Sequence, residues 1–295
     1  MKTLMSVDWR FRLTLSAAGF AFALATTPVM AQAVPSETGA GEESGNAEEL
    51  AKKLANPVAS LISVPLQNNF DFGGGYKDDG FRYTLNVQPV VPITLNKDWN
   101  LISRTILPIV YQKDILAPDI TPTDVDPNDD QFGLGDTVQS LFLSPSASDP
   151  IWGIGPVFLL PTSTHEALGT EKCGIGPTAV VLKQTGPWTY GMLANHIWSV
   201  AGKSDRSDVN ATFVQPFLSY TTKQAWTYTL NTESTRNWEA NEDEWTVPLN
   251  ATVTKVLKLG GQLVSVGGGA RYYVTGPDTA PDWGLRVIVT FLFPK

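Results

Sequence analysis

The chain has 295 residues, of which 42% are hydrophobic and only 17% charged, with a formal net charge of −8, two histidines and a single cysteine. An acidic balance disfavours nucleic acid as a partner, and Cys173 alone excludes an intramolecular disulfide, so stability has to come from packing or from closing a sheet. Beyond the N-terminus no window approaches the roughly 18 uninterrupted apolar residues of a membrane helix; if this chain crosses a membrane, it does so as strands.

At the N-terminus, Lys2, Arg10 and Arg12 precede an apolar run from Leu13 to Ala25, and small residues then offer cleavage after Ala31 or Ala33. That is the layout of a secretory signal peptide, residues 1–33. Its removal takes away three cations and one anion, Asp8, and moves the formal charge from −8 to −10. Residues 34–57 follow as a leader. Val34 to Asn46 is Gly-, Ser-, Glu- and Ala-rich without an aromatic and is expected to be flexible. Ala47 to Ala55 carries Leu50, Ala51 and Leu54 at helical spacing and ends at Pro57, which predicts one short amphipathic helix capping a periplasmic mouth.

From residue 58 to 295 one unit repeats: an alternating segment of about ten residues, then a turn. Strands are predicted to begin near Leu61, Phe81, Trp99, Phe132, Ile151, Gly174, Trp188, Val209, Trp226, Trp245, Gln262 and Trp283, about twelve in all. Turns alternate in kind. Asn96 to Asp98, Ser144 to Asp149, Gly186-Pro187, Thr222 to Gln224 and Lys258 to Gly261 are short, whereas the connections between them are longer or more acidic. An even strand count with short turns on one side and long loops on the other fits an all-β, antiparallel up-and-down barrel of the outer membrane with both termini in the periplasm. A soluble sandwich does not predict that asymmetry.

The last stretch carries the clearest pattern. Trp283, Leu285, Val287, Val289, Phe291 and Phe293 share one apolar face, and Gly284, Arg286, Ile288, Thr290 and Leu292 share the other. Trp283 at one end with Phe291 and Phe293 at the other match the two aromatic girdles of a tilted membrane strand. The terminal phenylalanines also have the form of a signal read by the barrel assembly machinery. Trp99 and Tyr111 bracket the third strand in the same way. Two internal echoes, Val87-Gln-Pro89 with Val214-Gln-Pro216 and Gly153-Ile-Gly-Pro156 with Gly174-Ile-Gly-Pro177, place Gln88 and Gln215 on the lumen side; none of these runs opens a helix, so none is a nucleotide motif.

Leu54 to Asn69, Phe132-Gly-Leu-Gly-Asp-Thr137 with Ser144-Pro145, Trp198-Ser199 and the ending Trp283 to Lys295 together resemble a Gram-negative outer-membrane β-barrel family. Its members carry transporter or MetA-pathway phenol-degradation-like labels, and some a misapplied neuromedin U label. The resemblance spans nearly the whole mature chain and implies a porin-like outer-membrane barrel more firmly than it implies a substrate; small aromatic solutes suit the family's labels, and anionic ones the lumen charges below. It supplies no catalytic residues.

Alternation turns Asp71, Arg82, Arg104, Glu233, Arg271 and Arg286 toward the lumen, since a charge on the lipid face costs about 2–4 kcal/mol at mid-membrane. Two readings stand: a basic constriction that selects permeating solutes, or ion pairs, Asp71 with Arg82 and Glu233 with an arginine, that merely fill the barrel. Other chemistry is sparsely provisioned. A phospholipase-type hydrolase needs a serine activated by histidine, but His196 and Ser199 point to opposite faces of one strand, and His165 lies in an acidic loop. No cofactor or zinc constellation is present in the pattern. The acidic loops, including Asp114, Asp119, Asp124, Asp126, Asp129, Asp130, Glu239, Glu242, Asp243 and Glu244, either gather divalent cations at lipopolysaccharide phosphates or are simply solvated. The expected partners are therefore outer-membrane lipid, the assembly machinery and a small-molecule solute, with no nucleic acid. A structural barrel with a plugged lumen is the remaining alternative.

Overall fold

The computed structural model describes residues 38–116, 130–241 and 244–294. The signal peptide and several loop acids (Asp119, Asp124, Asp126, Asp129, Glu242 and Asp243) lie outside the described residues. One helix, α1 (Thr38–Leu54), precedes β1 (Ile62–Gly74), β2 (Gly80–Val87), β3 (Val90–Thr94), β4 (Trp99–Lys113), β5 (Gln131–Leu134), β6 (Thr137–Pro145), β7 (Ile151–Leu160) and β8 (Lys172–Thr185). The remaining segments are β9 (Trp188–Gly202), β10 (Asn210–Thr221), β11 (Trp226–Thr232), β12 (Ser234–Asn237), β13 (Trp245–Leu259), β14 (Gln262–Thr275) and β15 (Trp283–Phe293).

These segments form twelve barrel strands, because three strands are interrupted. β2 and β3 break at Gln88-Pro89, where proline has no N–H for the ladder, yet both pair with β4. β5 and β6 likewise share β4, and β11 and β12 share β10 and β13 on either side of Glu233. β15 returns to β1, with Ile62 opposite Phe293 and Phe72 opposite Trp283. That closure leaves no open sheet edge, which is the condition for a sheet to persist in hydrocarbon, where an unpaired backbone group finds no water. Every expected strand start falls within two residues of an observed one.

Period-two alternation holds through the last strand: Trp283, Leu285, Val287 and Phe293 are exposed on the outside, whereas Gly284, Arg286, Thr290 and Leu292 are buried inside. The echoed glycine-proline runs face each other on β7 and β8, Pro156 opposite Pro177. A side chain at Gly155 or Gly176 would strike the carbonyl oxygen of Leu141 or His196 at 1.9 and 1.7 Å, so these glycines permit a close strand approach.

The helix departs from expectation at its start. It begins at Thr38, not Ala47, so the Gly- and Ser-containing stretch read as a flexible leader is helical from residue 38. Its C-terminal turns enter the barrel at the end that carries the short turns. Leu50 and Ala51 are buried with Ala59, Leu61, Ala225, Val256 and Leu292, and Gln184 Nε2 donates to the Lys52 carbonyl at 2.9 Å. Tertiary burial of the Leu50 face outweighs the weak helix propensity of the residues before it.

Candidate functional site

The interior of the barrel holds a cavity of about 670 Å³. Ala51, Leu54, Pro57, Ala59 and Leu61 border it at the end of the short turns, and Arg104, Glu233 and Arg286 line it further in. Its two sides differ in chemistry. Val138, Leu159, Ile197, Val209, Phe213 and Phe217 bring apolar side chains to one side, interleaved with Ser140, Asn195 and Gln215, whereas Gln67, Asn86 and Gln88 lie with the charged residues. Both echoed glutamines, Gln88 and Gln215, line the cavity.

Of the six charged residues picked out by alternation, Arg104, Glu233 and Arg286 line the cavity; Glu233 pairs with an arginine as expected, but Asp71 does not pair with Arg82. Asp71 and Arg82 sit directly opposite in register, yet Asp71 accepts from Arg271 Nη1 at 3.2 Å, and the Arg82 guanidinium donates to Gln112 Oε1 at 2.9 and 2.6 Å. The Asp71–Arg271 pair spans an intervening strand: Arg271 on β14 is opposite Gly284 on β15, and Gly284 is opposite Asp71 on β1. A Cβ at Gly284 would come 2.4 Å from Asp71 Oδ1 and 2.7 Å from the Phe70 carbonyl oxygen. Glycine is therefore what lets the two charges meet across a strand, and simple register is the wrong guide there.

Glu233 occupies the break between β11 and β12 and is clamped by Arg286, Nη1 to Oε1 at 2.9 Å and Nη2 to Oε2 at 2.8 Å. Arg271 Nη2 approaches the same carboxylate at 3.8 Å, and Arg286 Nε donates to Asn69 Oδ1 at 2.7 Å. Two-bond guanidinium–carboxylate geometry compensates desolvation that a lone buried charge could not bear. Arg104 has no such partner: its Nη2 donates to Gln88 Oε1 at 3.2 Å. Among the described residues, neither Arg82 nor Arg104 has a carboxylate at ion-pair distance. Four guanidiniums thus face two carboxylates, and the surplus is held by neutral amides.

Two segments outside the strands border the lumen, the first at the mouth that the helix was expected to cap and the second not anticipated from the sequence. One is the α1 to Leu61 segment; Val58 packs inside the wall against Ile102, Phe142, Val180, Leu182 and Leu193. The other is the loop between β7 and β8, which contains a 3-10 turn at Glu166–Leu168 and brings Thr170 to the cavity. Asp136 ties this loop down by accepting from Thr170 N at 2.6 Å and Thr170 Oγ1 at 2.7 Å, and Arg206 Nη2 caps the Glu166 and Gly169 carbonyls at 2.9 and 2.6 Å. Beyond the strands, hydrogen bonds from Lys172 and then Ser199 hold the Asp208 carboxyl below the usual carboxylate range. Hydrogen bonds to Glu171 and Glu166 raise the Lys203 ammonium above its usual value. The only sequence sign of this anchorage was the Phe132 to Thr137 run that contains Asp136.

His196 and Ser199 do not meet. His196 Nδ1 lies 2.7 Å from Thr212 Oγ1, and Ser199 Oγ donates to Asp208 Oδ1 at 3.0 Å. His165 is spent locally, its Nδ1 accepting from Ala167 N at 3.2 Å. The girdle residues sit at the strand ends. Trp99 meets Trp152 edge-on at 6.0 Å near the short turns, and Phe293 is exposed at the same end. Phe291 lies two residues before it on the same face and is half-buried. At the other end Trp283 stacks on Phe72 at 4.7 Å, and Tyr111 donates to Asp130 Oδ2 at 2.6 Å.

A closed sheet with a mainly apolar outward face bounded by two aromatic rows, and with its buried charges turned inward, defines a bacterial outer-membrane β-barrel. No protein-family model matches the chain, and no curated protein matches it by sequence. Among solved structures it is similar to the COG4313 outer membrane channel from Pseudomonas putida F1, with a TM-score of 0.60, 14% identity, and coverage of 79% of this chain and 96% of that one. The NanC porin aligns with a TM-score of 0.48 and 10% identity over 79% of this chain and 100% of its own. The translocator domain of the autotransporter NalP from Neisseria meningitidis aligns with a TM-score of 0.36 and 12% identity, covering 86% and 97%. At these identities the likeness to the first of them is one of fold.

Proposed function

We propose that this barrel is a passive channel for small solutes and that its lumen favours anions. The observation that carries the reading is the surplus of lumen cations: Arg82 and Arg104 are bonded to glutamine amides, not to carboxylates, and Arg104 borders the cavity. A guanidinium without a fixed counter-charge attracts a passing anion at reduced effective dielectric, whereas a compensated pair does not. The apolar side chains that share the cavity with it, Phe213 and Phe217 among them, suit a hydrocarbon or aromatic body, so the solute class we propose is a small aromatic or aliphatic anion. The transporter and phenol-degradation labels of the family resembled in sequence point the same way.

The plugged-barrel alternative has its own support in α1 at the periplasmic end and Thr170 at the other. The hydrolase alternative has none, because His196 and Ser199 serve separate hydrogen bonds. Purified mature protein in a planar bilayer under a KCl gradient separates these readings. The channel reading expects discrete conductance with modest anion preference, diminished by Arg104→Gln. Absence of conductance supports the plug; a cation-selective wild type, or a selectivity that Arg104→Gln leaves unmoved, makes the arginines filler.

A further inference from the structure

On the outside of the wall, β10, β11, β13 and β14 form a groove of about 530 Å³. Its floor is made by Ala251, Val253 and Gly268, and Leu218, Tyr228 and Leu230 rise beside it. The register explains the concavity: Leu218, Leu230 and Ala251 follow one another across three strands, and Tyr228, Val253 and Gly268 do the same one step along. Large side chains on β10 and β11 therefore give way to small ones on β13 and β14. A volume of this size lies in the range of small-molecule sites.

Lys255 shares the outward face of β13 with Val253 and Ala251 and stands opposite Trp226 on β11. Its Nζ lies 4.9 Å from the Trp226 ring centroid, and among the described residues no carboxylate lies at ion-pair distance from it. A lysine on the lipid face is tolerated near the interface and costly at mid-membrane. Lys255 precedes the end of β13 at Leu259 by only about 13 Å of strand, at roughly 3.3 Å per residue, on the side of the short turn and hence of the periplasmic leaflet. The outer face thus combines a built apolar depression with one uncompensated cation at phosphate depth.

We propose that this groove is a phospholipid site: one acyl chain of a periplasmic-leaflet phospholipid lies over Ala251 and Gly268, and its phosphate is held by Lys255 above Trp226. Charge complementarity selects this occupant. A two-fold contact between copies of the chain would set two uncompensated lysines against one another, which disfavours a second barrel in the groove. The site lies on the lipid side of the wall and stands whether or not the lumen conducts.

The test is native mass spectrometry of the detergent-solubilised mature protein titrated with phosphatidylglycerol, with diacylglycerol of the same chains as control and heat-modifiable migration to verify folding. Wild type retains one phosphatidylglycerol and releases diacylglycerol. Lys255→Gln weakens retention roughly tenfold, the loss expected for one charge-assisted contact, and Ala251→Phe fills the groove and removes retention. Equal retention by wild type and both variants would reduce the lipid to a non-specific annulus and overturn the proposal. So would equal retention of diacylglycerol, or a wild-type dimer that Ala251→Phe dissociates.

Discussion

Glu233→Gln is the most informative perturbation of the lumen. The substitution keeps the size of the side chain and removes the charge that Arg286 clamps through bonds of 2.9 and 2.8 Å. Arg286 is only 3% exposed, so the stranded guanidinium cannot recover its solvation from water. Removing one partner of such a pair costs about 3–5 kcal/mol, far above the ~0–1 kcal/mol of an exposed pair. The same change raises the surplus of lumen guanidiniums over carboxylates from two to three. Two effects are therefore expected together: unfolding at lower urea concentration, followed by heat-modifiable migration, and a reversal potential shifted toward anions. Glu233→Gln combined with Arg286→Gln returns the surplus to two and, because no charge is then stranded, recovers part of the stability. A double-mutant cycle isolates the coupling. The reasoning fails if Glu233→Gln leaves both urea midpoint and selectivity at wild-type values, or if the double variant is less stable by the sum of the single losses.

Three further outcomes follow from named contacts. Gly284→Ala places a Cβ 2.4 Å from Asp71 Oδ1, so it should break the Asp71–Arg271 pair and destabilise the barrel by at least about 1–3 kcal/mol; an unchanged urea midpoint would argue against the cross-strand pair. Leu50→Ala loosens the helix from Leu61, Val256 and Leu292, at a cost of about 2–5 kcal/mol to that packing, and should raise open probability in bilayer recordings if the helix obstructs the periplasmic mouth; unaltered gating would remove α1 from the pathway. The extracellular contacts should survive a wide pH range. Asp208 has a depressed pKa, so its contribution is present above the unfolded value near ~3.9 and lost as pH falls through the lower folded value; Lys203 has a raised one, so its contribution is full below ~10.4 and lost as pH rises through the higher folded value. Protease resistance of residues 161–171 and 203–209 should accordingly hold between roughly pH 4 and 10, and loosening near neutrality would contradict it.

The sequence by itself determined the strand number and the alternation of faces seen along strands such as β15, because side chains alternate with period two and a lipid-facing charge is too costly to tolerate at mid-membrane. Asp71, Arg82, Arg104, Glu233, Arg271 and Arg286 could be turned inward on that ground alone. Which of them pair was decided by the closed barrel. Asp71 reaches Arg271 across β15 only because Gly284 leaves the space, and Glu233 reaches Arg286 from a break between strands that alternation does not locate. The helix shows the same division. Leu50, Ala51 and Leu54 were legible as one apolar face, but their burial beside Leu61, Val256 and Leu292, and the helix start at Thr38, depend on a mouth that exists only once β15 has closed onto β1. Local periodicity is written along the chain; contacts between residues more than a hundred positions apart arise from closure, and closure is a property of the whole sheet.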